Sequence, residues 1–247
     1  MAVVRKLEHN GVRYEVRSAG RSLRLYTNGA FHTQYNTRRR LPGGVWDLLA
    51  LPALAVRCRS ALVLGVGGGA VIRLLANLGP DTVPDITGIE RDGIHLQLAR
   101  EYFGCDLDTV TLVEAEAAAW VRRSRRRFDL VIDDLFVHGA GDPERPGGLG
   151  ADWHARLDAR TSARGVLVQN HLSESEARAS ARDFAGVFPT ALVLERPRYE
   201  NAILVLMRTS TSARAFRHAV ATAIGNLDAG AARTLDFRCR QIRQGLW

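Results

Sequence analysis

The chain has 247 residues, 46% hydrophobic and 24% charged, an ordinary globular composition with enough length for one large core. No stretch approaches the ~18 uninterrupted apolar residues of a membrane span, and the opening MAVVRKLEHNG holds no apolar run of signal-peptide length, so a cytoplasmic protein off the membrane is expected. The formal charge is +8, almost all of it arginine, and the scattered Cys58, Cys105 and Cys239 offer neither a disulfide framework nor metal-ligand spacing.

Residues 1–40 alternate in the manner of strands. Asn28-Gly29 supplies the two positive-φ positions of a tight turn, predicting a β-hairpin appendage over residues 1–44. Pro42-Gly43-Gly44 then breaks the chain, and residues 45–56 have helical spacing. From residue 61, short apolar runs at 61–64, 85–90, 110–113, 128–132 and 165–169 alternate with helical stretches. Asp92 is placed to cap one of these helices, which runs to residue 103. Such alternation predicts a parallel sheet with helices on both faces. The runs at 191–195 and 202–207 are separated by six residues, too few for a helical crossover, so this pair must be antiparallel. The expected fold is α/β, a doubly wound, mostly parallel seven-stranded sheet over residues 45–247, with a closing antiparallel hairpin and the β appendage. An Ala-rich helix follows at 213–227. The runs Arg38-Arg39-Arg40 and Arg122-Arg123 with Arg125-Arg126-Arg127 have no aromatic residues interleaved to stack bases. They read as solvated surface, and nucleic acid is not the expected partner.

Gly65, Gly67, Gly68 and Gly69 sit where the first buried strand turns into a helix, letting the backbone approach a ligand beside free helix amides. Glu90 ends the next strand, where an acid can accept ribose hydroxyls. Glu116 lies just past the third, placed to accept from an adenine amino group. These features suit NAD as well as an S-adenosylmethionine-type nucleoside. The long segment before the first strand and the closing hairpin favour the latter.

The fourth strand runs into Asp133-Asp134. Neighbouring strand residues face opposite ways, so one carboxylate enters the cleft, where it can deprotonate an attacking amine. A Gly/Pro-rich loop at 139–150 has the length of a lid. Gln169, Asn170 and His171 end the fifth strand on the same edge; His138 and His171 read as hydrogen-bonded polar groups rather than acid/base catalysts. No Ser/His/Asp arrangement, P-loop or metal cluster can be assembled.

This order of residues resembles the spermidine synthase family, the polyamine aminopropyltransferases, over about residues 23–207. The resemblance is carried by Leu25-Tyr26-Thr27-Asn28-Gly29, Gly67-Gly68-Gly69, Gly88-Ile89-Glu90, Ala115-Glu116-Ala117, the run from Phe128 to Asp134, and Gly165-Val166-Leu167-Val168-Gln169. It implies decarboxylated S-adenosylmethionine as co-substrate, Asp134 as the counterpart of the catalytic aspartate, and a homodimer. The chain departs from the family pattern with Ala70 after the glycines, Val137 near the second acid of the acceptor loop, and Gly44-Val45-Trp46-Asp47 in place of the Tyr-His/Gln-Glu-Met helix. The nucleoside half is kept while the amine half is largely changed. Three functions follow: aminopropyl transfer to a small amine acceptor, S-adenosylmethionine-dependent methylation of a small or anionic acceptor, or non-catalytic binding of a nucleoside or nucleic acid.

Overall fold

Four antiparallel strands in sequence order begin the chain: β1 (Ala2–His9), β2 (Val12–Ala19), β3 (Ser22–Thr27) and β4 (Ala30–Asn36). The computed structural model describes residues 1–78, 83, 85–137, 144–146 and 151–242. Asn28 and Gly29 take φ of 50° and 88°, the pair of left-handed conformations that joins β3 to β4. The appendage is a four-stranded sheet rather than a single hairpin. Its Tyr14, Val16 and Leu25 are buried in one core with Leu48, Ile72 and Phe103.

The rest is a layered α/β unit. Helix α1 (Val45–Ala50) and a 3₁₀ turn (Leu51–Leu54) lead into β5 (Ala61–Leu64), α2 (Ala70–Asn77), β6 (Ile86–Glu90), α3 (Gly93–Phe103) and β7 (Val110–Glu114). Then come α4 (Ala117–Arg123), β8 (Phe128–Asp133), α5 (Ala151–Arg160), β9 (Thr161–His171) and α6 (Glu174–Asp183). The chain continues through β10 (Thr190–Glu195), β11 (Ala202–Met207), α7 (Ala213–Leu227), α8 (Ala229–Thr234) and β12 (Arg238–Gln241). The strand order is β12-β10-β11-β9-β8-β5-β6-β7, with β5 to β9 parallel and β11 antiparallel to β9. Among the described residues the sheet therefore has eight strands, where seven were expected. The addition, β12, pairs with β10 as an outer edge. Its sequence Arg-Cys-Arg-Gln carries the charges that protect a sheet edge, so no apolar run announced it.

Central strands read as continuous apolar runs because both faces are covered. Ala61 and Val63 point into one core, Leu62 and Leu64 into the other. Asp92 caps α3 by accepting from the Ile94 and His95 amides, and Gly104 ends it at φ 69°. β5 lies between β8 and β6, so the connections leaving β5 and β8 diverge and open a crevice at their carboxyl ends, where such sheets bind ligands. Among the described residues no helix is long and apolar enough to cross a membrane.

One buried ion pair ties the start of this unit to its far hairpin. Arg196 Nη1 donates to Asp47 Oδ2 at 2.9 Å and to the Gly44 carbonyl at 3.0 Å, and the Gly43 amide also donates to Asp47 at 2.8 Å. The side chains are 8% and 1% exposed. Burial pushes the Asp47 pKa up, against the pull of Arg196 and the Gly43 amide. Arg196→Ala leaves this carboxylate buried and unpaired, and should lower stability by about 3–5 kcal/mol, read from urea unfolding. A loss below about 1 kcal/mol would show that the pair does not brace α1.

Candidate functional site

The glycine loop is shaped by two contacts that no side chain tolerates. Gly65 has φ 84°, and a Cβ there would run into the Asp134 carbonyl oxygen. The Asp134 amide also donates to the Leu64 carbonyl at 2.9 Å, so the exits of β5 and β8 lie backbone to backbone. Gly69 starts α2 at φ 88°, where a Cβ would meet Cys105 Sγ. Burial pushes that thiol up to about 12.

All four glycine amides are committed within the protein. Gly65 donates to the Ile89 carbonyl at 3.0 Å and Gly69 to that of Val66 at 2.8 Å. Gly67 donates to Glu90 Oε2 at 2.9 Å, and Gly68 to Thr33 Oγ1 at 2.9 Å. Thr33 comes from β4, so the N-terminal sheet rests on the loop. Tyr14 OH donating to Asp92 Oδ2 at 2.8 Å, and the 2.8 Å bond between Thr27 Oγ1 and His95 Nε2, fasten the same sheet to the start of α3. The glycines therefore offer no free donors to a phosphate or carboxylate.

Glu90 ends β6 half-buried at the loop; its Oε1 accepts from the Asp92 amide at 3.0 Å. Each carboxylate oxygen accepts more than one hydrogen bond, so both can still receive ribose hydroxyls. Glu116 is exposed and caps α4, accepting from the Ala118 and Ala119 amides at 3.0 and 2.7 Å. With Ala115, Ala119, Trp120, Arg123 and Ser124 it lines an open cavity of about 470 Å³.

The two aspartates part company. Asp133 is fully buried, and its Oδ2 accepts from Arg145 Nη2 at 2.6 Å, Trp153 Nε1 at 3.0 Å and Gln169 Nε2 at 3.1 Å. Ser180 Oγ orients Gln169 by donating to its Oε1 at 2.7 Å. Burial acts to raise the Asp133 pKa, but the Arg145 charge and the three donors outweigh it and hold the group below the usual carboxylate range. Asp133 is thus a fixed anion rather than a turn cap. Asp134 is half-buried and keeps one visible side-chain bond, accepting at Oδ1 from Asn170 Nδ2 at 2.7 Å. Burial drives its pKa up to about 7; Asn170 and Arg145 oppose the rise, and the Asp133 and Glu90 charges add to it. It titrates at neutrality, as a general base should.

Asn170 is the hub of this cluster. Its Oδ1 accepts from Asn201 Nδ2 at 3.0 Å, and its carbonyl accepts from Arg145 Nη1 at 2.7 Å. His171 was expected to be hydrogen-bonded, but among the described residues its Nε2 has no partner, and burial followed by the Arg145 charge brings its pKa down to about 3. His138 lies outside the described residues, as does most of the 139–150 loop. Arg145, Trp153, Asn201 and Thr33 were missed by sequence reasoning, since each reaches the site from a distant element with no local pattern. Among the described residues no group of three or more His, Cys, Asp or Glu could hold a metal ion.

With this geometry in hand, the chain was compared with known proteins. A probable polyamine aminopropyl transferase of Bifidobacterium longum (strain NCC 2705) is 36% identical over 115 residues, covering 45% of this chain and 25% of that relative. A polyamine aminopropyltransferase of Thermoplasma volcanium is 31% identical over 118 residues, covering 44% of this chain and 40% of that relative. The matches thus span well under half of either relative's length. The crystal structure of a probable spermidine synthase from Corynebacterium glutamicum superposes with TM-score 0.72 at 18% identity, covering 100% of this chain and 92% of that one. No family model matches. Part of the chain is thus similar in sequence to polyamine aminopropyltransferases, and its fold is similar to that of spermidine synthase and methyltransferase-like structures.

Asn170→Ala removes the donor that favours the charged form of Asp134, so the Asp134 midpoint should rise from about 7. Carbon NMR of aspartate-labelled protein would follow it, with Asp134→Asn assigning the resonance. An unmoved midpoint would deny the contact its electrostatic role.

Proposed function

We propose that the chain is a transferase that holds decarboxylated S-adenosylmethionine in the crevice between residues 65–69 and Asp134 and passes its aminopropyl group to a small amine acceptor. The observation that carries this reading is Asp134 itself, a carboxylate raised to about 7 whose backbone touches the glycine loop. The curated relatives' names support the same transfer.

The nucleoside supplies a carbon whose bond to sulfur breaks, the electron pair going to sulfur, as its bond to the acceptor nitrogen forms. Asp134 takes the proton that nitrogen sheds, and Asn170 holds the carboxylate in place meanwhile. Glu90 receives the ribose hydroxyls. The two carboxylates favour a cationic sulfonium centre, and glycine amides already committed leave no donors for a ligand carboxylate. Both forms carry the sulfonium, so it is the second point that supports the decarboxylated form over the intact one.

One observation favours methyl transfer from intact S-adenosylmethionine. Arg145 brings a cation close to Asp134, and Val137 stands where a second acid would help hold a polyamine. That pairing suits a small or anionic acceptor.

Products separate the readings. Methylthioadenosine formed from the decarboxylated nucleoside and an amine supports the proposal, whereas S-adenosylhomocysteine from the intact one supports methylation. Asp134→Asn should then cost about 10²–10⁴ in rate. Glu90→Ala should weaken methylthioadenosine binding by about 1–3 kcal/mol in calorimetry, the scale of charge-assisted hydrogen bonds. Binding without either product would leave a nucleoside-binding protein.

We also propose a homodimer formed through the N-terminal sheet. β1 is an edge strand; its Val3 and Val4 are 57% and 49% exposed, and Met1 just before it is 72% exposed. Light scattering at micromolar concentration should give the mass of two chains, and a monomer's mass would overturn this.

A further inference from the structure

At the opposite edge of the sheet, away from the glycine loop, three sequence-distant groups of arginines come together. Arg57 and Arg59 precede β5, Arg125 and Arg127 precede β8, Arg160 ends α5 immediately before β9, and Arg164 lies in β9's first turn. β9, β8 and β5 are neighbours in the sheet, about 4.8 Å apart. Thr161 pairs with Phe128, and the Asp129 amide donates to the Ser60 carbonyl at 3.1 Å, so the strand starts are level.

Among the described residues none of these six arginines forms an ion pair. Five are exposed. The acids beside these three strands are engaged, while the exposed Asp106 and Asp108 lie further along, before β7. Asp85 pairs with Arg126 and Asp158 with Arg208, while Asp129 accepts from the Arg59 amide at 2.9 Å and from Ser162 Oγ at 2.9 Å.

Arg160 adds an independent observation. Among the described residues its Nε and Nη1 have no hydrogen-bond partner, and the side chain is partly exposed. Burial, then the nearby Arg127 charge, presses its pKa down. An anion at this edge would offset the repulsion between these two cations.

We infer that this amino-terminal strand edge docks the phosphate backbone of a nucleic acid. The guanidinium fork matches phosphate oxygens, and a row of such groups across three strands suits a chain of phosphates better than one small anion. Of the aromatic rings near this edge, Phe128 and Phe188 are buried beneath Arg126 and Arg208, and Trp120 beside Phe128 is partly buried. Among the described residues no row of exposed rings is there to stack successive bases, so the contacts are to the backbone and independent of sequence. The arginine runs alone did not suggest this, because Arg57, Arg59, Arg160 and Arg164 belong to neither run and join the second only through the sheet topology.

Fluorescence anisotropy with a labelled DNA duplex of about 20 base pairs and arbitrary sequence tests the inference, the log-log slope of affinity against NaCl being about −4.5 to −5.4 for five or six phosphates contacted. The double variant Arg125→Glu/Arg127→Glu should weaken binding by about tenfold or more and flatten the slope by about 2, whereas Arg38→Glu/Arg39→Glu, an equal charge change in the other run, should alter binding by less than about twofold. Unchanged thermal unfolding of both variants keeps the comparison free of misfolding. No binding at about 50 mM NaCl, or equal loss in both variants, would overturn the inference. Tighter binding to phosphatidylserine vesicles or to polyglutamate than to the duplex would overturn the nucleic-acid assignment.

Discussion

The site depends on one close approach, that of the Gly65 backbone to the Asp134 carbonyl. Adjacent parallel strands β5 and β8 end level with each other, and their following segments must leave in different directions. Only a residue without a Cβ, in a left-handed conformation, lets the first exit pass against the second. The same contact sets the glycine loop beside the carboxylate whose pKa burial raises to about 7. Loop and carboxylate are thereby fixed to one pair of adjacent strands.

Around that contact the protein uses buried charge as bracing. Asp133 sits beside Asp134 in sequence yet serves as an anchor, gathering Arg145, Trp153 and Gln169 onto a single oxygen. Through Arg145 the segment after β8 is joined to the carbonyl of Asn170, the residue that contacts Asp134. Asp47 and Arg196 do the same for α1 and the far hairpin. Such pairs contribute little net stability against an apolar substitute, but losing one partner is severe, so they favour one arrangement of the segments they join.

Much of this was legible before any coordinates. β10 and β11 read as an antiparallel pair from their spacing, and 213–227 read as a helix at its true bounds. Gly65, Glu90 and Asp134 announced themselves because each ends or follows a strand at one edge of a parallel sheet. β12 stayed hidden because an edge strand with charged residues has no apolar run to show. Thr33, Arg145 and Asn201 stayed hidden because their roles come from tertiary contacts. Glu116 was read as an adenine contact from its place just past β7; its carboxylate also caps α4, a role its position alone did not announce.

A sulfonium nucleoside is an alkylating agent, and thiolates are the protein nucleophiles that would attack it most readily. Cys105 packs directly beneath the first turn of α2, its Sγ donating to the Gly69 carbonyl at 3.6 Å, on the loop proposed above to hold such a ligand. Cys58, Cys105 and Cys239 are all pushed up to about 12 by burial. At neutral pH only about 10⁻⁵ of each is ionised. The packing that places a cysteine against the loop also keeps it protonated, so a chain holding such a ligand is shielded from modifying itself.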